Sequence, residues 1–164
     1  KNAKKILKET KCDAVKLEGG KKIINQINYL IKNKVSVMGH LGLLPQTTKG
    51  KFKSKGKTFR EKKQLIDDSI LLQNSGVFAI DLGCVKTSKA KEITSKIKIS
   101  TNGIGSSVHC DGQVLVTDDL IGLNDTKIKF VKKFINIKKY INLGLRKFAS
   151  EVRSKKYPSK KHSY

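Results

Sequence analysis

The sequence predicts an α/β fold in which short buried strands alternate with amphipathic helices along most of its 164 residues. Three observations support this fold class. Short apolar runs, each long enough for one buried strand, recur along the chain. Between them lie segments whose apolar residues are three and four positions apart, as on one face of a helix. The strands lead into polar, glycine-bearing loops, an order typical of a parallel sheet with crossover helices.

Five segments are predicted to form strands, because each is short, mainly apolar and bounded by polar residues or glycine. The first leads into Glu18-Gly19-Gly20 and the second into Gly39-His40, so polar groups follow these strands directly. In parallel sheets, the carboxyl ends of the strands form the edge at which sites are built. The predicted strands are, in order, Ala14–Leu17, Val35–Met38, Val77–Leu82, Ile99–Ile104 and Val114–Thr117.

Six segments are predicted to be helices from the spacing of their apolar residues. Phe59–Ser75, for example, places Leu65, Ile66, Ile70 and Leu71 in one stripe. The predicted helices are, in order, Asn2–Glu9, Lys22–Lys32, Phe59–Ser75, Ser88–Ile97, Lys127–Phe134 and Tyr140–Arg153. No linker or internal repeat divides the chain, so residues 1–153 are predicted to form one domain and residues 154–164 an irregular polar tail.

The formal net charge of +23 is compatible either with a solvated lysine-rich surface or with a nucleic-acid partner. Of the 36 basic residues only Arg60, Arg146 and Arg153 are arginine. Proteins that read nucleic-acid sequence rely on arginine for bidentate contacts, so no specific nucleic-acid partner is predicted. Non-specific attraction to polyanions would still follow from the charge, and a basic polyanion-binding protein remains an alternative.

The three cysteines, Cys12, Cys84 and Cys110, are widely spaced and form no C-x-x-C motif. This pattern indicates neither a disulfide framework nor a zinc knuckle, and it suits the reducing cytoplasm. No apolar run approaches the roughly 20 residues that a membrane-spanning helix needs, so no membrane partner is predicted.

Several motifs follow one another in a fixed order along nearly the whole chain. The two longest are Asp13-Ala14-Val15-Lys16-Leu17-Glu18-Gly19-Gly20 and Val37-Met38-Gly39-His40-Leu41-Gly42-Leu43-Leu44-Pro45-Gln46. The shorter ones are Phe52-Lys53 with Gly56-Lys57, Gly103-Ile104-Gly105 followed by Cys110-Asp111-Gly112-Gln113-Val114-Leu115-Val116, Lys129-Phe130-Val131-Lys132, Glu151-Val152, Tyr157-Pro158 and His162-Ser163. In order and approximate spacing they resemble the ketopantoate hydroxymethyltransferases (3-methyl-2-oxobutanoate hydroxymethyltransferases).

This resemblance implies a (β/α)8 TIM-type barrel, of which the chain would form a part, about strands 4 to 8 with their helices. It implies transfer of a hydroxymethyl group from the co-substrate 5,10-methylenetetrahydrofolate to 3-methyl-2-oxobutanoate, giving ketopantoate for pantothenate and coenzyme A. It also implies Mg2+ as cofactor, small-molecule substrates, a cytoplasmic location and a large homo-oligomer, typically a decamer. In the family pattern, the first three strands carry two aspartates that help to bind the metal.

The matching motifs imply roles for three residues. Glu18 matches the family's carboxylate near the metal, and Lys16 matches the lysine that contacts the substrate carboxylate. The two are separated by one residue on a strand, so both side chains point to the same side, which in a barrel is the interior. His40 ends the next strand and is expected to face the same site, either as a catalytic residue that takes part directly in the chemistry or through orienting hydrogen bonds. The alternative for Lys16 and Glu18 is a structural ion pair at the mouth of the barrel.

One departure from the family falls on its proposed proton acceptor. The motif apolar-Leu-Glu-Cys-Val-Pro occurs here as Asp81-Leu82-Gly83-Cys84-Val85-Lys86, so Gly83 stands where the family has its glutamate. Asp81 replaces a usually apolar residue on the same strand face, about 6–7 Å from residue 83, which suggests it as a substitute base. A hydrogen bond to Asn102 on the next strand is expected to make its burial tolerable. The alternative is a catalytically impaired pseudoenzyme or decayed fragment of the family.

Overall fold

The computed structural model describes residues 1–50, 52–125 and 127–164. These residues form two compact units, residues 1–114 and residues 115–164. The first unit contains the sheet and four helices, and the second contains two further helices. Whether residues 1–153 belong to one barrel domain stays a prediction.

The first unit is built on a single parallel sheet of five strands in the order β1-β2-β3-β4-β5. All four strand pairs are parallel, and each strand lies next to the one that precedes it in the chain. The sheet is open, with β1 at one edge and β5 at the other among the residues described. The strands are β1 Ala14–Glu18, β2 Ser36–Gly42, β3 Ala79–Gly83, β4 Ser100–Ile104 and β5 Gly112–Gln113.

Helices connect the strands and cover one face of this sheet. They are α1 Asn2–Thr10, α2 Ile24–Lys32, α3 Phe59–Asn74 and α4 Thr87–Lys96, and a 3-10 turn, Lys21–Ile23, precedes α2. The core lies between these helices and the sheet, where Ile27, Leu72, Ile80 and Ile93 are fully buried. The predicted α/β class with a parallel sheet is therefore confirmed, in the form expected for part of a (β/α)8 barrel.

The second unit contains α5 Thr117–Leu120 and α6 Ile137–Arg153. The 17-residue helix α6 is capped by Asn136, whose side chain accepts a hydrogen bond from the backbone N–H of Lys139. Residues 154–164 contain one 3-10 turn, Lys160–His162, and otherwise no helix or strand. None of the helices in the described part of the chain combines the length and the apolar character needed to span a membrane.

Four of the five predicted strands and five of the six predicted helices are confirmed, with ends displaced by a few residues. The strand predicted at Val114–Thr117 is wrong: β5 ends at Gln113, and Val116 caps α5 instead. The helix predicted at Lys127–Phe134 is also wrong. The backbone N–H groups of Phe134 and Ile137 donate to the carbonyl groups of Leu120 and Ile121, so this segment pairs with another part of the chain.

Candidate active site

The pairing of the strands aligns polar residues in one row across the sheet. Glu18 of β1 pairs with His40 of β2, which pairs with Asp81 of β3, which pairs with Asn102 of β4. Partners in register on parallel strands point to the same face. The opposite face lies against the helices, because a side chain at Gly39 would come within 2.9 Å of Leu72 in α3. The row therefore lies on the face turned away from the helices, which is the interior face of a barrel.

Two glycines shape the turn that follows Glu18. Gly19 has a positive φ of 126°, which L-residues with side chains rarely adopt. A Cβ atom on Gly20 would lie 2.1 Å from Cγ of Asp68, whose Oδ1 accepts a hydrogen bond of 2.9 Å from the backbone N–H of Lys21. The chain can therefore turn sharply against α3 immediately after β1, which holds Glu18 at the carboxyl end of its strand.

Lys16 and Asp81 form an ion pair across the intervening strand β2. The Lys16 Nζ atom lies 2.8 Å from Oδ2 of Asp81. The Lys16 side chain is 49% exposed, whereas the Asp81 side chain is only 6% exposed. The second carboxylate oxygen of Asp81, Oδ1, is buried and has no hydrogen-bond partner among the described residues. A buried carboxylate without a cation is costly, so Lys16 makes the burial of Asp81 tolerable.

Glu18 and His40 lie side by side in the row. The Glu18 Oε2 atom accepts a hydrogen bond of 3.1 Å from the backbone N–H of Gln46, and Oε1 lies 3.3 Å from Nδ1 of His40. That contact lacks hydrogen-bond geometry, and neither ring nitrogen of His40 has a hydrogen-bond partner in the described part of the chain. Burial lowers the pKa of His40, and the negative charge of Glu18 partly opposes this shift. Burial thus favours the neutral imidazole of His40.

Gly83 contributes no side chain to the site, and its surroundings are closely packed. A Cβ atom on Gly83 would lie 2.6 Å from the carbonyl oxygen of Leu43 and 2.8 Å from Nε2 of His40. The Gly83 carbonyl accepts a hydrogen bond of 2.7 Å from the backbone N–H of Leu43. A Cβ on Gly42 would in turn lie 2.3 Å from that carbonyl oxygen. Residue 83, where the resemblance predicts a glutamate in the family, is thus not an open space in this chain.

The expected hydrogen bond between Asp81 and Asn102 is not formed, although the two residues are partners in register. Asp81 bonds to Lys16 on one side, and its other oxygen has no partner among the described residues. The Asn102 Oδ1 atom lies so close to Gly112 of β5 that a Cβ there would be 2.4 Å away. The lysine is the stronger partner because it supplies a full positive charge to the buried carboxylate.

The row offers carboxylate oxygens, which are the ligands that Mg2+ prefers. Within the described residues, however, no group of three or more histidine, cysteine, aspartate or glutamate side chains is arranged to hold a metal ion. Glu18 and Asp81 are the carboxylates of the row, and Asp81 is already paired with Lys16. The described residues therefore do not form a complete metal site by themselves.

A cleft of about 370 Å3, which the sequence did not predict, lies beside the carboxyl end of β2. Its walls include Lys21, Thr47, Lys55, Gln64 and Asp68. Asp68 is 8% exposed and lies three residues after Leu65 and four before Leu72, both buried. That helical spacing places Asp68 on the buried face of α3, and it is the signal that could have identified it.

The fold and the row of ionisable side chains define a parallel α/β protein that gathers its polar groups at the carboxyl ends of the strands. A family model for ketopantoate hydroxymethyltransferase matches residues 1–160. The chain belongs to this family.

Relatives of this family are similar over essentially all of the chain. The 3-methyl-2-oxobutanoate hydroxymethyltransferase of Pelagibacter ubique is 61% identical over 163 residues, which cover 99% of this chain and 63% of that protein. The protein of the same name from Rhizobium etli is 42% identical over 167 residues, covering 100% of this chain and 61% of the relative. The one from Phenylobacterium zucineum is 39% identical over 165 residues, covering 99% and 60%. The chain thus spans less than two thirds of the length of these relatives.

Proposed function

We propose that this chain carries part of the active site of an enzyme that transfers a hydroxymethyl group from 5,10-methylenetetrahydrofolate to 3-methyl-2-oxobutanoate. The observation that carries the proposal is the alignment of Glu18, His40 and Asp81 in one row, with Lys16 bonded to Asp81 on the same face. Lys16, Glu18 and His40 lie in the two longest motifs shared with the family. Relatives named 3-methyl-2-oxobutanoate hydroxymethyltransferase match the chain over essentially its whole length.

Lys16 is proposed to bind the carboxylate of the 2-oxo acid. Its side chain is half exposed, so its ammonium group is accessible from the face of the sheet that is turned away from the helices. An ammonium is a compact donor of three hydrogen bonds, which suits a carboxylate partner. His40, which is buried beside Glu18, is proposed to orient that carboxylate and the reacting groups as a neutral imidazole.

Glu18 is proposed as the residue of this chain that faces Mg2+. In reactions of this class, a bound divalent metal polarises the substrate ketone and stabilises the enolate. The described residues do not complete such a site, so further oxygen ligands would have to come from outside them. The role of this chain is then to hold the carboxylate of Glu18 in place, through the hydrogen bond that the backbone N–H of Gln46 donates to it.

The proton that must leave the carbon next to the ketone has no obvious acceptor, because Gly83 stands at the family's glutamate. Two interpretations differ in a measurable way. In the first, Asp81 accepts the proton through Oδ1, the oxygen that Lys16 does not occupy. In the second, the chain belongs to a catalytically impaired member of the family, and the close packing around Gly83 favours this outcome.

The test is magnesium-dependent exchange of deuterium at C3 of 3-methyl-2-oxobutanoate, followed by proton NMR with the complete polypeptide that the gene encodes. Exchange above the rate with metal alone supports an active enzyme, and its loss in Asp81→Asn identifies Asp81 as the base. Exchange that survives in Asp81→Asn rules out that role. If the protein is folded but shows no exchange, it is a catalytically impaired member of the family. Asp67→Asn, on the exposed surface of α3, is the control for the loss of one negative charge.

We propose a cytoplasmic homo-oligomer, a decamer as is typical of the family, that acts on small molecules and reads no nucleic-acid sequence. Sedimentation equilibrium of the complete polypeptide tests the oligomer, and a monomer at micromolar concentration would contradict it. DNA binding that disappears between 50 and 200 mM salt and is independent of sequence would reflect the charge of +23 alone.

A further inference from the structure

The ammonium group of Lys16 already has an anionic partner inside the protein. Its Nζ atom lies 2.8 Å from Oδ2 of Asp81, a distance typical of a charge-assisted hydrogen bond. Asp81 is not a mobile surface group: the residue is 4% exposed and lies in β3, between β2 and β4. The lysine therefore carries a fixed counter-ion.

Asp81 cannot release Lys16 without losing the only hydrogen bond that either of its oxygens makes among the described residues. Oδ1 is buried without a partner, and Oδ2 is held by Lys16. A buried carboxylate that loses its cation suffers the full penalty of desolvation. A ligand that approaches Lys16 from the exposed side must therefore share the ammonium with Asp81.

A ligand that carries a carboxylate would place a second negative charge next to Asp81. Glu18, two residues from Lys16 on the same face, adds a further negative charge. The protein's own side chains on this face therefore supply one ammonium group, that of Lys16, and two carboxylates, those of Glu18 and Asp81, before any ligand binds. Charges of like sign a few ångströms apart repel strongly where water is excluded.

We propose that Asp81 is a built-in counter-ion of Lys16 that competes with carboxylate ligands and so lowers the affinity of the site for 2-oxo acids. This inference rests on the proposed function only in that Lys16 is the group that receives the carboxylate. Asp81 acts here through Lys16, as a positioning residue that determines specificity. The site is correspondingly less selective for a 2-oxo acid over a neutral ketone of the same shape.

The experiment compares the complete wild-type polypeptide with Asp81→Asn, which keeps the shape of the side chain and removes its charge. Dissociation constants are measured by NMR titration at one pH and one ionic strength. The ligands are 3-methyl-2-oxobutanoate, 3-methylbutanoate, which lacks the ketone, and 3-methyl-2-butanone, which lacks the carboxylate. Asp67→Asn is the matched control, because Asp67 is exposed on α3. Asp81→Val repeats the test if the asparagine variant does not fold.

We expect Asp81→Asn to bind both carboxylates about tenfold more tightly, which corresponds to about 1.4 kcal/mol. The neutral ketone should bind unchanged, and Asp67→Asn should match the wild type for all three ligands. A merely structural role of Asp81 would change the three affinities alike. Carboxylate affinity that stays the same or falls in Asp81→Asn overturns the inference, as does an absence of carboxylate binding in every variant.

The same variants separate this inference from the proposed function. Asp81→Asn could tighten the binding of both carboxylates while no form of the protein catalyses exchange at C3. That result would support Asp81 as the counter-ion of Lys16 and contradict the proposed activity. If exchange occurs, KM for the 2-oxo acid should fall in Asp81→Asn with little change in kcat. A fall in kcat at constant KM would instead assign Asp81 to proton transfer and overturn the counter-ion.

Discussion

His40 occupies the space into which a side chain at Gly83 would extend: a Cβ atom on Gly83 would lie 2.8 Å from Nε2 of His40. The carbonyl oxygen of Leu43 would be closer still, at 2.6 Å, and real Cβ atoms essentially never approach other atoms so closely. The backbone after β2 and the backbone at the end of β3 are thus packed for a glycine. Placing a glutamate at residue 83 would require both the imidazole and the loop after β2 to move.

The first prediction concerns Gly83→Ala. Because the added methyl group meets a backbone carbonyl and a buried ring, we expect the free energy of unfolding to fall by about 1–3 kcal/mol. Urea denaturation followed by circular dichroism measures this. Gly144→Ala in α6 is the control, since no described atom beyond the neighbouring backbone of its own helix lies within 4 Å of its added Cβ. That variant should be more stable, by up to about 1 kcal/mol, because alanine favours helix. Unchanged stability in Gly83→Ala would show that the strand ends are loosely packed.

The second prediction tests the Lys16–Asp81 ion pair without any ligand. Lys16→Met leaves the buried carboxylate without a cation, and we expect a loss of about 1–3 kcal/mol, less than for a fully buried pair because Lys16 is half exposed. Lys16→Met combined with Asp81→Asn should recover much of that loss. A double-mutant cycle on the free energy of unfolding gives the coupling between the two residues.

The exposed pair Lys5–Glu9, with its charged atoms 3.8 Å apart in α1, provides the matched control for this cycle. Lys5→Met and Glu9→Gln should show a coupling below about 0.5 kcal/mol, because both side chains are solvated. If the coupling between Lys16 and Asp81 is equally small, the pair does not stabilise the fold.

The sequence was sufficient to predict that Lys16, Glu18, His40 and Asp81 share one face. For Lys16, Glu18 and His40 that prediction needs only the period of a strand and the rule that sites lie at the carboxyl ends of parallel strands, whereas for Asp81 it also needs the family resemblance that marks residue 83. The partner of Asp81 could not be predicted in this way. Periodicity identifies the neighbouring strand, where Asn102 lies, but a lysine has the reach to cross a whole strand, and its charge favours the buried carboxylate.

The wrong predictions arose where backbone hydrogen bonds link distant segments. The apolar residues around Phe134 suit a helix locally, but the N–H of Phe134 donates to the carbonyl of Leu120. At Val114–Thr117 the apolar run suggested a strand, whereas the backbone N–H of Val114 makes the last bond to β4, at Gly103, and α5 begins at Thr117. The spacing of apolar residues carries no information on such long-range hydrogen bonds, so it could not predict the structure of these two segments.

The third prediction concerns the turn that holds Glu18. A methyl group at Gly20 would overlap the carboxylate of Asp68, at distances of 2.1 to 2.5 Å. We expect Gly20→Ala to lower the free energy of unfolding by about 1–3 kcal/mol, because Asp68 is buried and also binds the backbone of Lys21. Asp68→Ala in the same chain should relieve the overlap, so the two changes together should cost less than the sum of each alone. Additive effects would mean that the two residues do not meet.

The fourth prediction concerns the start of α3. Thr58 and Glu61 form a reciprocal capping box: Thr58 Oγ1 accepts a hydrogen bond of 3.2 Å from the backbone N–H of Glu61, and the Glu61 carboxylate accepts from the backbone N–H of Thr58. Thr58→Ala should destabilise the protein by about 1 kcal/mol, measured by thermal unfolding. Thr58→Ser keeps the hydroxyl group and should remain close to the wild type. Equal losses in the two variants would indicate that the methyl group, and not the cap, is what stabilises the helix.

The same cap sets a pH dependence that can be measured. The hydrogen bond from the Lys57 backbone N–H holds the pKa of Glu61 below its ordinary value of 4.5. A carboxyl group whose pKa is lower in the folded state stabilises the protein above its unfolded pKa, and this stabilisation is lost as the pH falls through the folded pKa. Glu61→Gln should therefore be less stable than the wild type at pH 7, and the difference should shrink as the pH falls below about 4.5. Unfolding curves of both proteins between pH 7 and pH 3 test this, and a difference that stays constant over that range would show that the Glu61 carboxylate does not bind the helix terminus.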